Sequence, residues 1–295
     1  MKPVIKEATI YCYEQDLMEI YSHPIDDREK EFISNYPLDT ITKDGKIFLR
    51  KNVWLKRYDQ VGNKTYELNV DHTYLDRNTW QYEYFQDGVT IQKIKAYKNF
   101  GMSETEYNES GMMLRQLSYL LSEDGSEPEL VRIARLKVIR CNKRGQPTVA
   151  HLLVDMDAPG TKHRPFIDKI IRRQYDSQGQ ITRELEYAPE SEYGDIVYEP
   201  MTVRQWAYDK HGRVCEYMCK EQQFDEYCTG YRKFTYNDDG TIQTCTQRGN
   251  VFRGHSGVSH FEYDQYGNWI TRSIYDEDNN ELKEIYKRTI TYYDK

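Results

Sequence analysis

The chain has 295 residues, enough to bury a sizeable core as one large domain or two ordinary ones. Apolar residues make up 38% and charged residues 30%, yet 27 tyrosines and 14% aromatics exclude disorder, which is aromatic-poor. A net charge of -7 with a pI near 5.6 lacks the clustered Lys and Arg of a nucleic-acid binder, and points to basic or neutral protein partners.

At the N-terminus, Met1 to Glu7 has no apolar core of a secretory signal, and no stretch approaches the roughly 20 apolar residues of a spanning helix. With Met1 as the native start, the expected location is cytoplasmic and no membrane span is expected. Residues 1–40 read as a small non-repeat cap, with a short helix over 26–35 where acidic residues precede a helix-forming run. Six sparse cysteines (Cys12, Cys141, Cys215, Cys219, Cys228, Cys245) suit thiols in a reducing compartment better than a disulfide framework.

From residue 41 to 295 an internal repeat dominates: Tyr, three residues, then Gly. Its copies are Tyr58/Gly62, Tyr84/Gly88, Tyr107/Gly111, Tyr175/Gly179, Tyr208/Gly212, Tyr236/Gly240 and Tyr263/Gly267, with Cys141/Gly145 filling the tyrosine slot once. Ile41/Gly45 and Tyr275/Asn279 are worn copies at the ends. Asp or Asn follows most slots, where a short side chain can bond the turn backbone, and Gly supplies positive φ. The slot tyrosines and their glycines are thus the expected structural residues of the repeat. Apolar residues two before the slot and two after Gly, such as Trp206 and Val214, share a strand face with the slot. Each unit reads as strand, short loop, strand, a β-hairpin signal. A lone hairpin is marginal in water, so neighbours must stack. The expected fold is all-β: tandem antiparallel hairpins forming an extended or curled sheet, with an insertion around 146–170 that breaks the spacing.

At Tyr208-Asp209-Lys210-His211-Gly212-Arg213-Val214 and at Tyr263-Asp264-Gln265-Tyr266-Gly267-Asn268-Trp269, the chain resembles the YD repeat of Rhs and teneurin-type proteins. That pattern is Tyr-Asp-x-x-Gly, a polar residue, then an apolar one. The resemblance covers roughly residues 50–295 and is strongest from Arg172 onward. It implies a sheet winding from hairpin to hairpin. Tyr84-Phe85 and Cys141-Asn142 depart from the signature, and the toxin-releasing segment of large Rhs proteins is not visible.

Few motifs carry chemistry. His211, Cys215, Cys219 and Cys228 are good zinc ligands by type, but Cys215 and Cys219 would stand about 13 Å apart on a straight strand, too far to share one ion. Asp155 and Asp157 form a carboxylate pair after an apolar run, without the alternating strand and helix pattern that frames a Mg²⁺ site. Gly254-His255-Ser256-Gly257 lacks the glycine spacing and following helix of a nucleophile elbow. No catalytic residue, metal or cofactor is expected. The tyrosines serve hairpin packing first, and Trp206, Trp269, Tyr208 and Tyr263 are candidate partner-binding anchors, since aromatics concentrate at interfaces.

The expected function is therefore non-enzymatic protein binding, of an immunity or antitoxin kind that neutralises a neutral or basic toxin. The alternative is a cell-envelope structural or glycan-binding repeat protein, and a hydrolase follows only if Asp155 and Asp157 bind metal.

Overall fold

The structure is a computed structural model and describes residues 3–14, 35, 39–71, 76–98, 101–121, 128–155, 166–188, 200–223, 226–251 and 256–293. The elements among them are strands. In chain order these are β1 (Ile5–Glu14), β2 (Thr40–Lys43), β3 (Lys46–Tyr58), β4 (Lys64–Asp71), β5 (Asp76–Tyr84), β6 (Ile91–Lys98), β7 (Gly101–Tyr107), β8 (Met113–Leu120), β9 (Glu129–Cys141) and β10 (Pro147–Asp155). They continue as β11 (Phe166–Tyr175), β12 (Ile181–Tyr187), β13 (Thr202–Tyr208), β14 (Val214–Gln223), β15 (Glu226–Tyr236), β16 (Ile242–Gly249), β17 (Gly257–Tyr263), β18 (Trp269–Tyr275) and β19 (Leu282–Tyr292). The short helix expected over 26–35 lies outside the described residues, Asn35 apart.

From β3 to β7, from β9 to β16 and from β18 to β19 each strand pairs antiparallel with the next in sequence, as hairpin repeats require. Strand β1 then pairs antiparallel with β3 on one side and with β19 on the other, while β2 hairpins back onto β3. Among the described residues β1 thus joins β3 to β19, so neither of these strands is a free edge, and the expectation of an extended or curled sheet is corrected. The physical reason lies in the edges. An open sheet leaves a row of unpaired N–H and C=O groups at each end, and β1, which carries no repeat, satisfies both rows. The expectation of a terminal cap overlooked this because nothing in the repeat pattern announces a strand that pairs at both edges.

Contacts divide the chain into two compact units. Unit 1 comprises residues 1–112, 120–129 and 259–295. Its apolar cluster is Tyr13, Phe48, Leu282 and Ile285, against which Tyr11, Ile41 and Tyr275 pack. The turn that brings Phe48 back beside Ile41 is a two-residue one, Asp44-Gly45, with both residues at positive φ as a tight hairpin demands.

Unit 2 comprises residues 113–119 and 130–258. Residues that the sequence set apart as an insertion supply β10 and the start of β11, which pair antiparallel with register shifts at Pro147–Ala150 against β9 and at Leu152–Leu153 against β11. On β9 and β10 one face carries Ala134, Leu136 and Val138 opposite Val154, Leu152 and Ala150, and Ala134, Ala150 and Val154 are buried. The alternate residues Arg135 and Lys137 are exposed. Alternation with a period of two therefore gives β9 a covered face and an open face.

Candidate functional site

The geometry of one repeat explains the motif. In the loop after Tyr208, the Asp209 N–H donates to Arg213 O at 2.8 Å and the Gly212 N–H to Asp209 O at 3.0 Å. Asp209 Oδ1 accepts the N–H groups of His211 and Arg213 at 2.8 and 3.0 Å. Burial works to raise this carboxyl, but Arg213 and the two backbone donors outweigh it and hold it at about 2. Asp59, Asn108, Asn142, Asp176 and Asp264 cap their loops in the same way. Gly179, Gly212, Gly240 and Gly267 all have positive φ, as expected. In the worn copy after Tyr275 the loop is one residue longer, and Asn280, not Asn279, takes positive φ.

Two clasps tie each hairpin to its neighbour. The slot tyrosine donates its hydroxyl backward to the carbonyl of the residue paired with the previous slot: Tyr84 to Lys64 O at 2.8 Å, Tyr175 to Pro147 O at 2.8 Å, Tyr208 to Ile181 O at 2.8 Å and Tyr236 to Val214 O at 2.7 Å. Those carbonyls belong to the pairs Tyr58↔Lys64, Cys141↔Pro147, Tyr175↔Ile181 and Tyr208↔Val214, each beside a bulge that shifts the ladder. The polar residue after Gly reaches forward: Gln146 Nε2 donates to Gly179 O at 2.9 Å, Gln180 Nε2 to Gly212 O at 3.0 Å, and Asn63 Nδ2 to Gly88 O. A Tyr293 hydroxyl on Tyr58 O at 2.7 Å repeats the tyrosine clasp where unit 1 joins its terminal strands. Tyrosine is required because its rigid ring spans the gap between strands and ends in a donor.

Two of the repeat glycines depart from this pattern. Gly62 and Gly111 turn their own loops, with φ of 95° and 74°, but both are exposed, whereas Gly88, Gly179 and Gly212 are half-buried beneath the incoming amide. Gly62 and Gly111 thus serve their own turns through positive φ. A Cβ at 111 would meet nothing within 4 Å and one at 62 would meet the Val4 side chain at 3.7 Å, so no polar clasp from a neighbouring loop packs on either.

The covered faces hold charge that is matched internally. In unit 2 Lys169 meets Glu186 at 3.0 Å, Arg173 meets Glu184 at 2.7 Å, and Arg204 bridges Glu184 at 2.8 Å and Glu186. Burial works to raise the Glu186 carboxyl, but Arg204 and Lys169 outweigh it and lower it. Beside this network Cys219 is buried, and burial pushes its thiol up. In unit 1 the closing strand brings Cys12 opposite Tyr286 and Glu14 opposite Glu284. Lys51 Nζ lies 2.6 Å from Glu14 Oε2, and the Tyr286 hydroxyl donates to Glu284 Oε2 at 2.8 Å. Burial, then Glu284, pushes the Cys12 thiol up, and burial, then Cys12 and Glu284, pushes the Tyr286 hydroxyl up. Raised thiols are the opposite of reactive ones.

The open faces of the two units differ. On the open face of unit 2 the register places Arg135, Lys137, Arg172, Arg183, Lys220 and Lys233 among apolar and aromatic neighbours, and the carboxylates at those positions are Asp155 and Glu216. Arg172 lies over the Tyr187 ring, 5.1 Å from its centroid. On the open face of unit 1 cations meet acids directly: Arg57 Nε lies 3.0 Å from Glu7, and Lys93 and Lys95 lie 2.7 and 3.4 Å from Glu104. The chain is acidic as a whole, yet this face of unit 2 is basic, because its acids sit in loop caps and on the covered face.

The expected anchors stand elsewhere. Trp206 faces Tyr217 on the covered side at 5.5 Å, and Trp269 lies beneath Arg288 at 5.3 Å. Tyr208 is engaged in its clasp, and Tyr263 stacks on Phe261 at 6.4 Å. Of the zinc-type residues, His211 is exposed in its loop, Cys219 is buried, and Cys215 and Cys228 are half-buried. No group of three or more His, Cys, Asp or Glu among the described residues is placed to hold a metal. Asp155 ends β10, while Asp157, Gly254 and His255 lie outside the described residues. The basic face escaped the sequence reading because successive cations are 2 to 37 positions apart in the chain and gather only through cross-strand register.

No protein-family model and no curated protein matches the sequence. Solved structures do. A porin-like protein of Bacteroides uniformis is 7% identical over 99% of this chain and 98% of its own, with a TM-score of 0.40. Another, from Bacteroides vulgatus, is 9% identical over 87% of this chain and 97% of its own, with a TM-score of 0.34. A Photorhabdus luminescens Tc holotoxin pore is 10% identical over 84% of this chain and 18% of its own, with a TM-score of 0.19. The cytoplasmic expectation is corrected by this finding, since the similar structures are porin-like proteins, a likeness of fold alone. No helix among the described residues is long and apolar enough to cross a membrane, which says nothing of crossing with strands.

Proposed function

We propose that this chain is a non-enzymatic binding protein of the cell envelope, built from YD-type hairpins and acting through an open sheet face. The observation that carries the reading is the division of labour between faces. The nucleophilic and titratable groups that could do chemistry, Cys12 with Tyr286 and Glu284 and Cys219 with its Glu184–Arg204 neighbours, are engaged with one another on covered faces. Long polar and aromatic side chains are left on the open ones, where recognition needs them. The immunity reading loses two of its motives, the cytoplasmic location and an acidic binding surface.

Charges occupy both faces at mid-strand in unit 2, Arg172 on the open side and Arg204 on the covered side. A cation facing lipid at the bilayer midplane costs about 2–4 kcal/mol, so the chain suits an aqueous part of the envelope. Fractionation of the native host, with affinity electrophoresis of the purified chain through polysaccharide extracted from that envelope, tests the reading. Envelope recovery and retarded migration are expected. Recovery in the cytosol, or unhindered migration, overturns it.

A further inference from the structure

We infer that the open face of unit 2 is a binding site for an acidic polysaccharide, an inference that rests on the envelope-binding reading. Its basis is a charge distribution opposite in sign to that of the chain. Strands β9 to β15 turn Arg135, Lys137, Arg172, Arg183 and Lys233 to one face, and the carboxylates at the paired positions of the described residues on that face are Asp155 and Glu216. Adjacent strands stand about 4.8 Å apart, so these cations form a two-dimensional array and not a single cluster. Between them the register sets Ile170 opposite Tyr187, Leu185 opposite Val203, and Met218 opposite Tyr231. Cations separated by flat apolar and aromatic surface fit a linear polymer whose charges recur at intervals and whose sugar rings offer C–H faces between them.

Arg172 shows the element in small. Its guanidinium lies 5.1 Å from the centroid of Tyr187, an arrangement that orients the planar fork while leaving its donors for a carboxylate. Arg183 lies two residues from Leu185, the partner of Arg172, so a second fork stands diagonally beside the first. Nucleic acid fits less well, because its dense phosphates favour a tighter stripe of cations. An acidic protein offers carboxylates but no repeating flat faces for Tyr187 and Tyr231.

The test uses the full chain and immobilised polygalacturonate, with neutral dextran as the comparison. Binding to polygalacturonate at low salt is expected, about tenfold weaker once added salt shortens the screening length below the strand spacing, and dextran is not expected to bind. The double variant Arg172→Gln/Arg183→Gln should lose about tenfold in affinity, as 1.4 kcal/mol implies. Lys93→Gln/Lys95→Gln removes the same charge from unit 1 and should bind as the parent does. Arg135→Gln/Lys137→Gln is a second variant of the site should the first fail to fold. Equal losses in the unit 1 and unit 2 variants, or tighter binding of DNA or polyglutamate, overturn the inference. So does equal binding of dextran, which leaves the envelope reading standing. Failure to bind either polymer together with failure to bind host envelope polysaccharide overturns both.

Discussion

If the tyrosine hydroxyl is what joins one hairpin to the next, removing it alone should weaken the fold by a definite amount. In Tyr208→Phe the half-buried ring stays and only the 2.8 Å bond to Ile181 O is lost. A net hydrogen bond contributes about 0.5–1.5 kcal/mol, and the stranded carbonyl lies beside a bulge where the ladder shifts, so about 1 kcal/mol is expected. For a large domain, 1 kcal/mol corresponds to about 2–4 °C in Tm. Calorimetry of Tyr208→Phe, Tyr175→Phe and Tyr236→Phe should show losses of similar size, because each removes the same bond from a different hairpin. The double variant Tyr175→Phe/Tyr236→Phe should be additive within about 0.5 kcal/mol, as expected for distant sites. Tyr208→Ala should cost more, since it also removes the ring. Should Tyr208→Phe melt with the parent while Tyr208→Ala falls by several degrees, the repeat is held by ring packing and the clasp is incidental.

Gly212→Ala is expected to destabilise more than Gly111→Ala: both have positive φ, which costs about 1 kcal/mol for a side chain, but a Cβ at 212 would also stand 3.1 Å from Gln180 Nε2, whereas at 111, as at 88, it meets nothing within 4 Å. Equal melting shifts would mean that the glutamine clasp yields freely. Asp209 is held at about 2, below the ordinary carboxylate value of about 3.9. Its contribution is therefore complete above about pH 4 and is lost as pH falls through about 2, so Asp209→Asn should flatten acid unfolding in that window; a titration indistinguishable from the parent's would refute it. Deleting residues 1–14 should expose the edges of β3 and β19 and produce concentration-dependent association by light scattering. A monodisperse, equally stable product would show that β1 is dispensable.

Much of the local structure was legible because turn chemistry is local. Asp209 and Gly212 sit three residues apart, and their roles as cap and positive-φ residue follow from side-chain reach and the missing Cβ alone. The slot tyrosines were legible as a repeat but not as clasps, since their acceptors, such as Ile181 O for Tyr208, lie 27 residues away. The polar residue after Gly was visible as part of the motif, but only the structure gives Gln146 and Gln180 their partners. For the same reason the motif alone did not separate Gly62 and Gly111, open to solvent, from Gly179 and Gly212, which a neighbouring glutamine covers. The double pairing of β1 was not legible. Residues 5–14 carry no Tyr-x-x-x-Gly signature, and a strand's second pairing partner leaves no mark in its own sequence.

Net charge says little of any one face for a related reason. A formal charge of -7 sums over loops, covered faces and open faces alike, while a partner meets only one of them. Asp59, Asp176, Asp209 and Asp264 are bound to the backbone of their own loops, and Glu184 and Glu186 are matched by Lys169, Arg173 and Arg204. Acid in these places builds the hairpins. The cations on the open face of unit 2 sit at mid-strand and not at the turns, and strand alternation sends them to one face together. In a repeat that places Asp at many of its turns, the sign of the whole chain owes much to the architecture, and the sign of a face has to be read strand by strand from the register.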